Sequence, residues 1–275
     1  MMRIAMINGL YTVSIEFALM VLYGMIQRVS RIGVKENMFQ VTKDWNPKQA
    51  LLKDILLKKE RFPDTKKLLL DMHSLVHASP VYGTQSVTYM DEIWDGLTDT
   101  AFRTMPTIQD VTVAWNIWHI TRIEDLTVNI LIQDSGQVLD DHWLSKLGTR
   151  VTDTANAMTD DEIILFSSEI NKSALYEYRN AVGMQTKTVI ESIGWDDLKR
   201  RFSPNQLTRI HDEGGVLDHK DSVWLLDFWG RKNVAGIFQM PVTRHQIVHL
   251  NDCIKLKQKC LKSKNGHHPA SVSSC

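Results

Sequence analysis

The chain has little cysteine with which to cross-link itself. Its three cysteines, Cys253, Cys260 and Cys275, form no CxxC pair and leave one over, so no disulfide framework organises it and a reducing cytoplasm is the expected compartment. It also lacks an excess of either charge. Lys plus Arg equals Asp plus Glu at 32 each, so no overall field gathers nucleic acid from a distance. No stretch alternates apolar and polar residues with β-branched enrichment, which excludes a sheet-based fold, and no solenoid period is visible. Proline and glycine are modest at 7 and 14, while 43% of residues are hydrophobic, which excludes disordered and fibrous classes. What remains is a globular chain of 275 residues, long enough for one large or two small domains with a sizeable core.

The N-terminus departs from that picture. Ile4 to Ile26 (IAMINGLYTVSIEFALMVLYGMI) carries Glu16 as its only charge and is long enough to span a bilayer. Arg28 and Arg31 follow and would favour a cytoplasmic domain. No small-residue cleavage pattern marks a secretory signal. Two other readings stand beside a membrane anchor: an amphipathic helix covering a soluble domain, or an extension upstream of a later start such as Met38. Residues 1–45 are therefore expected to form an apolar extension, 46–262 the folded domain and 263–275 a disordered tail.

Beyond the extension the periodicity predicts helices. They are expected over about 47–60, 66–78 and 89–103, over a long segment capped by Asp110 and running to Gln133, and around Trp143. Further helices are expected after Thr159, over 172–193, around 220–232 and over 242–262. The stretches SPNQ and DEGG, near 203–215, read as loops. The fold class expected is all-α: a helical bundle with long connections.

One stripe of this pattern carries chemistry. In PVTRHQIVHL, His245 and His249 stand four residues apart, with Cys253, Leu256 and Cys260 on the same face, because i and i+4 stack on a helix. Burying two imidazoles on consecutive turns demands polar partners that leucines would not need. A divalent metal satisfies both, although an HxxxH pair alone occurs as often without one. His119 lies mid-stripe in VAWNIWHITRIEDLTVNILI. Inward histidines on two helices are how helical bundles build metal sites. Three neutral imidazoles without an acidic or thiolate ligand suit zinc, nickel or a similar ion and leave positions open.

The segments SVTYMDEIWDGLTD, VAWNIWHITRIEDLTVNILI and, much later, WLLDFWGRKNVAGIFQMPVTRHQIVHLND resemble the DinB superfamily of DinB/YfiT-like metal enzymes in order and separation. The resemblance covers about Lys66 to Lys262. It implies a four-helix bundle holding a divalent metal through a histidine on the second bundle helix and an HxxxH pair on the fourth, which here fall on His119, His245 and His249. The chain departs from that pattern in its apolar N-terminal extension and in a long insertion between the second and third bundle helices. The resemblance further implies a metal-activated, low-molecular-weight thiol of the bacillithiol or mycothiol type attacking a small-molecule electrophile, an S-transferase chemistry. Metal-dependent hydrolysis is the runner-up, and a non-catalytic, metal-binding stress-response protein is the reading from a different class. A homodimer is left open. No nucleic acid is expected as a partner, and membrane contact is expected only through residues 4–26.

Two more residues enter as catalytic candidates. A second HxxxH, His73 and His77 in LLLDMHSLVHASP, reads either as a pair of core histidines or, for His77 above all, as a proton carrier lining the pocket. Arg122, three residues beyond His119, reads as a holder of a substrate carboxylate or as the partner of an ion pair. Glu124 and Asp125 fall outside the His119 stripe and are expected to be structural.

Overall fold

A computed structural model describes residues 39–108 and 110–265. The expectations for Ile4–Ile26 and for the chain beyond Asn265 lie outside these residues. The chain divides into Met1–Gln40 and Val41–Cys275, and the fold below belongs to the second unit. Among the described residues every regular element is helical, apart from one isolated bridge between Arg201 and Asn233. The all-α expectation therefore holds. No helix among the described residues is long and apolar enough to cross a membrane.

The elements are α1 (Asn46–Ile55), α2 (Phe62–Val76), α3 (Ser79–Tyr82), α4 (Tyr89–Trp94), α5 (Asp99–Arg103), α6 (Val113–Asp125), α7 (Asp141–Leu147), α8 (Asp160–Glu169), α9 (Lys172–Ser192), α10 (Pro204–Asp212), α11 (Lys220–Gly230), α12 (Val234–Gln239) and α13 (His245–Asn265). Wider π-turns precede α1 (Val41–Trp45), extend α6 (Leu126–Ile132) and lead into α13 (Met240–Arg244). Helix α6 packs on α9 and α13, α9 on α2, and α2 on α13.

Several boundaries differ from those expected, each for a local reason. The helix expected over 89–103 is two, because Gly96 turns the chain at φ 64° and Thr98 caps a new start by accepting the Ala101 N–H. SPNQ opens a helix and is no loop: Ser203 and Gln206 form a capping box with Pro204 in the first turn. The cap of α6 is Thr112, whose hydroxyl accepts the Trp115 N–H at 2.9 Å, while Asp110 pairs with Lys259. The folded unit takes in Val41–Trp45 with Trp45 buried, and α13 continues into the stretch from 263 expected as a tail.

The larger difference concerns α6. A helix with one apolar stripe should leave its other face to water. From Val113 to Ile132 every residue is buried except the half-buried Trp115. The burial includes Arg122, Glu124 and Asp125, each fully inaccessible. Arg122 donates to the Thr152 carbonyl, the Asp125 carboxylate, the Tyr178 hydroxyl and the Gln137 side chain. Asp125 in turn accepts from Asn129 and from the Val138 and Leu139 backbone amides. Buried charge is tolerated only when paired and hydrogen-bonded in this way.

Helix α9 reaches α2 through Gly183. A Cβ there would lie 2.4 Å from Nδ1 of His77, a ring held in place by Glu124. Helix propensity alone favours Ala over Gly by about 1 kcal/mol. Because that clash falls on a fixed ring, overpacking of about 1–3 kcal/mol should prevail. Gly183→Ala is expected to lower the urea midpoint; a rise would show that the helices separate freely at this crossing.

Candidate metal centre

His119 comes from the middle of α6, and His245 and His249 from the first turns of α13, the two helices that pack most closely around the site. The three offer ligand atoms that all lie within 4.8 Å of one another. Their ring centroids form a nearly equilateral triangle: 5.0 Å from His119 to His245, 4.8 Å from His119 to His249 and 4.6 Å from His245 to His249. Bonds of about 2.0–2.1 Å from three imidazoles to a tetrahedral ion put ring centroids about 5 Å apart. The donor set thus fits a divalent cation in size as well as in chemistry.

Outer hydrogen bonds fix two of the three rings. His119 Nδ1 is 2.7 Å from the Thr154 carbonyl oxygen. A carbonyl only accepts, so Nδ1 carries the proton and Nε2 keeps its lone pair. His249 Nδ1 is 2.7 Å from Oδ1 of Asn116, whose Nδ2 donates to the Thr112 carbonyl and so fixes which way the amide points. His249 is therefore also an Nδ1–H tautomer with Nε2 available. This pattern, the second ring nitrogen tied to a carbonyl oxygen, is the usual support of a metal-binding histidine. His245 differs: its Nδ1 is buried with no hydrogen-bond partner among the described residues, a penalty that coordination through that atom would offset.

The electrostatics agree. Burial pushes the pKa of His119 down to about 3 and that of His249 down to about 4, and it holds His245 well below the ordinary value. All three are neutral at pH 7, as ligands must be. Trp115 stacks on the His119 ring, with centroids 4.7 Å apart and planes 7° from parallel. Its Nε1–H donates to the Ala155 carbonyl, while Trp118 donates to that of Asp153. Three consecutive carbonyls, of Asp153, Thr154 and Ala155, thus hold Trp118, His119 and Trp115. One turn beyond His249, burial pushes the Cys253 thiol up, so it remains protonated.

His73, His77 and Glu124 form a second group able to offer a cation three ligand atoms within 4.8 Å. Its present geometry is a closed hydrogen-bond cluster. The Nε2 atoms of His73 and His77 lie 2.9 and 3.0 Å from the two carboxylate oxygens of Glu124. Burial opposes ionisation of Glu124, yet the facing histidines hold its pKa well below the usual range, so both rings donate to it. His73 Nδ1 then accepts from the Tyr82 hydroxyl at 2.8 Å, and His77 Nδ1 rests against Gly183. A cation on the Nε2 atoms would force the His77 proton onto Nδ1, where no acceptor stands. Arg179, fully buried and electrostatically coupled to Glu124, already supplies a counter-charge; burial lowers its pKa to about 10, which leaves it charged at neutrality. A divalent ion would add two uncompensated charges to a sealed interior. The His119–His245–His249 group is the stronger metal candidate.

These placements revise two expectations. His77 is fully buried against Glu124 and belongs to the second cluster. Arg122 is saturated by Thr152, Asp125, Tyr178 and Gln137, with no exposed surface to present to a substrate carboxylate. Sequence reading missed Asn116, Thr154 and the bridging role of Glu124. Asn116 was accessible to it, since position i−3 from His119 shares that face. Thr154 was not, because a backbone carbonyl in irregular chain leaves no mark in side-chain pattern.

No family model and no curated protein matches the chain. Among solved structures, the crystal structure of the conserved protein of locus from Enterococcus faecalis is similar. Its TM-score is 0.50 at 17% sequence identity, over 71% of this chain and 96% of that one. At that identity the likeness concerns the fold alone.

If Asn116 orients His249 for coordination, Asn116→Ala should weaken metal affinity by about 10–100-fold while the helices stay folded. Competition with a chromophoric chelator reads the affinity, and an unchanged value would remove Asn116 from the site.

Proposed function

We propose that the protein is a divalent-metal-dependent enzyme of the DinB type, with zinc or nickel held by His119, His245 and His249, and that it transfers a low-molecular-weight thiol of the bacillithiol class to a small electrophile. The observation that carries the metal reading is the triad itself: three neutral imidazoles converging on one point, two of them held in the ligating tautomer. Among the described residues the group contains no fourth acidic or thiolate ligand, and His245 and His249 are only partly buried. Three protein ligands at a partly accessible point favour catalysis over a structural staple, which closes with four.

When bound there, a divalent ion supplies a Lewis acid that lowers the pKa of a coordinated thiol towards neutrality. The chain's own residues provide the setting. Thr154 and Asn116 hold two imidazoles against rotation, and Trp115 covers one side of His119 with an apolar wall. In the transfer a carbon–sulfur bond forms at the electrophile, the leaving group departs with its electron pair, and the thiol proton passes to solvent. His77 and Arg122 take no part, being committed to Glu124 and Asp125. Buried Cys253 and Cys260 suit a reducing compartment such as the cytoplasm.

The test uses untagged full-length protein, a panel of thiols and a chlorinated dinitrobenzene, assayed with metal added and with metal chelated. Metal-dependent release of chloride with one thiol class is expected, with activity and bound metal lost together in His249→Ala. Ester hydrolysis without thiol dependence would move the assignment to a metal hydrolase. A tightly bound metal whose removal unfolds the protein, without turnover, would make the site a staple.

A further inference from the structure

A cavity of about 780 Å³ opens between the chain after α7, helix α8 and Leu217. None of the six metal-candidate residues lines it. Its volume lies within the range of small-molecule sites, about 300–1,000 Å³. Met158, Leu165, Phe166 and Leu217 give it an apolar wall, and Leu165 and Leu217 are 58% and 43% exposed, more than a packing role requires. The charged lining is lopsided: the carboxylates of Asp153, Glu162 and Glu169 against the single guanidinium of Arg150.

Asp153 sets the character of this cavity. It is 8% exposed, so its carboxylate is largely withdrawn from water. One oxygen accepts the Ala155 N–H at 2.6 Å. The buried cation whose charge acts on it, Arg122, is already engaged with Asp125, Tyr178, Gln137 and the Thr152 carbonyl. Burial accordingly raises the Asp153 pKa, a penalty that a cation in the cavity would relieve. Glu162, by contrast, keeps its charge through the capping box with Thr159 at the start of α8. An apolar wall beside a shielded carboxylate is complementary to a molecule with a positive head and an apolar body.

We propose that this cavity is a binding site for an organic ammonium compound with an apolar body. The proposal stands apart from the metal reading, because it needs neither the triad nor an ion. The two sites nevertheless share a segment of chain. The Asp153 carbonyl holds Trp118, whose ring lies 5.6 Å from that of Phe166 in the cavity wall, and the next carbonyl, of Thr154, holds His119. A ligand on Asp153 therefore sits one residue from the support of the metal centre.

Isothermal titration calorimetry of the full chain with phenethylammonium chloride, 2-phenylethanol and sodium phenylacetate tests this directly. The three probes share an aromatic body and differ in charge. Saturable binding of the ammonium at one site per chain is expected, at least about tenfold tighter than the alcohol or the carboxylate, a difference of the size one complementary charge provides. Asp153→Asn should remove that preference. Should Asp153→Asn not fold, Leu165→Lys places a cation at an exposed position of the same wall and should weaken ammonium binding by a similar factor, with unchanged circular dichroism. Absence of saturable ammonium binding, equal affinity for the alcohol, or an ammonium affinity indifferent to Leu165→Lys would each overturn the proposal.

Discussion

A helix with no face turned to water governs this structure. Between Val113 and Ile132 only Trp115 keeps appreciable exposure, although the segment contains asparagine, histidine, arginine, glutamate and aspartate. Each of these groups must find its partner inside the protein, and the rest of the fold is arranged to supply one. Helix α2 brings His73 and His77 to Glu124, and α9 brings Tyr178 to Arg122 and Asp125. Helix α13 brings His249 to Asn116, and its Gln246 donates to the Ile120 carbonyl while accepting from Arg179. Hydrophobic burial draws these helices together, but the polar pairs set how they meet, since a slip by one turn would leave several buried charges unmatched.

The metal candidate follows from the same constraint. An imidazole in a wholly buried helix needs an acceptor for one nitrogen, and the Thr154 carbonyl provides it. That leaves the other nitrogen unprotonated at a point where two imidazoles of α13 converge. The carbonyls at Asp153, Thr154 and Ala155 can serve three side chains in succession because the backbone bends sharply there. Ala155 sits at φ 60°, a conformation uncommon for a residue with a Cβ and unfavourable by on the order of 1 kcal/mol. The Asp153 carboxylate helps to hold that bend through the Ala155 N–H.

Much of the architecture was legible before the fold was known, for identifiable reasons. Regular spacing of apolar residues, capping residues and the lack of strand alternation specify an all-α chain. The HxxxH stripe of α13 and the inward His119 come together in space as their faces imply. The illegible part has one main source. Reading Val113–Ile132 as a helix with one buried stripe left Glu124 and Asp125 outside that stripe, structural but without named partners, on a face that is buried as well. Polar residues on a wholly buried helix look, in sequence, like the wet side of an amphipathic one. Of the two readings open for Arg122, the ion pair is the one the fold takes up, with Asp125, and His77 meets a carboxylate that the stripe did not include. SPNQ misled for a different reason, since serine and proline open helices as readily as they open turns.

The central claim is that the polar partners of α6 leave one set of imidazoles, and not the other, free to bind a cation. Cobalt(II) titration of the untagged chain, followed by visible absorption, tests it most directly. One equivalent per chain should develop a ligand-field band; the band should vanish in His245→Ala and persist in a folded Glu124→Gln. Two equivalents, or a band that disappears with Glu124 and survives loss of His245, would place the metal in the His73–His77–Glu124 cluster and contradict the account.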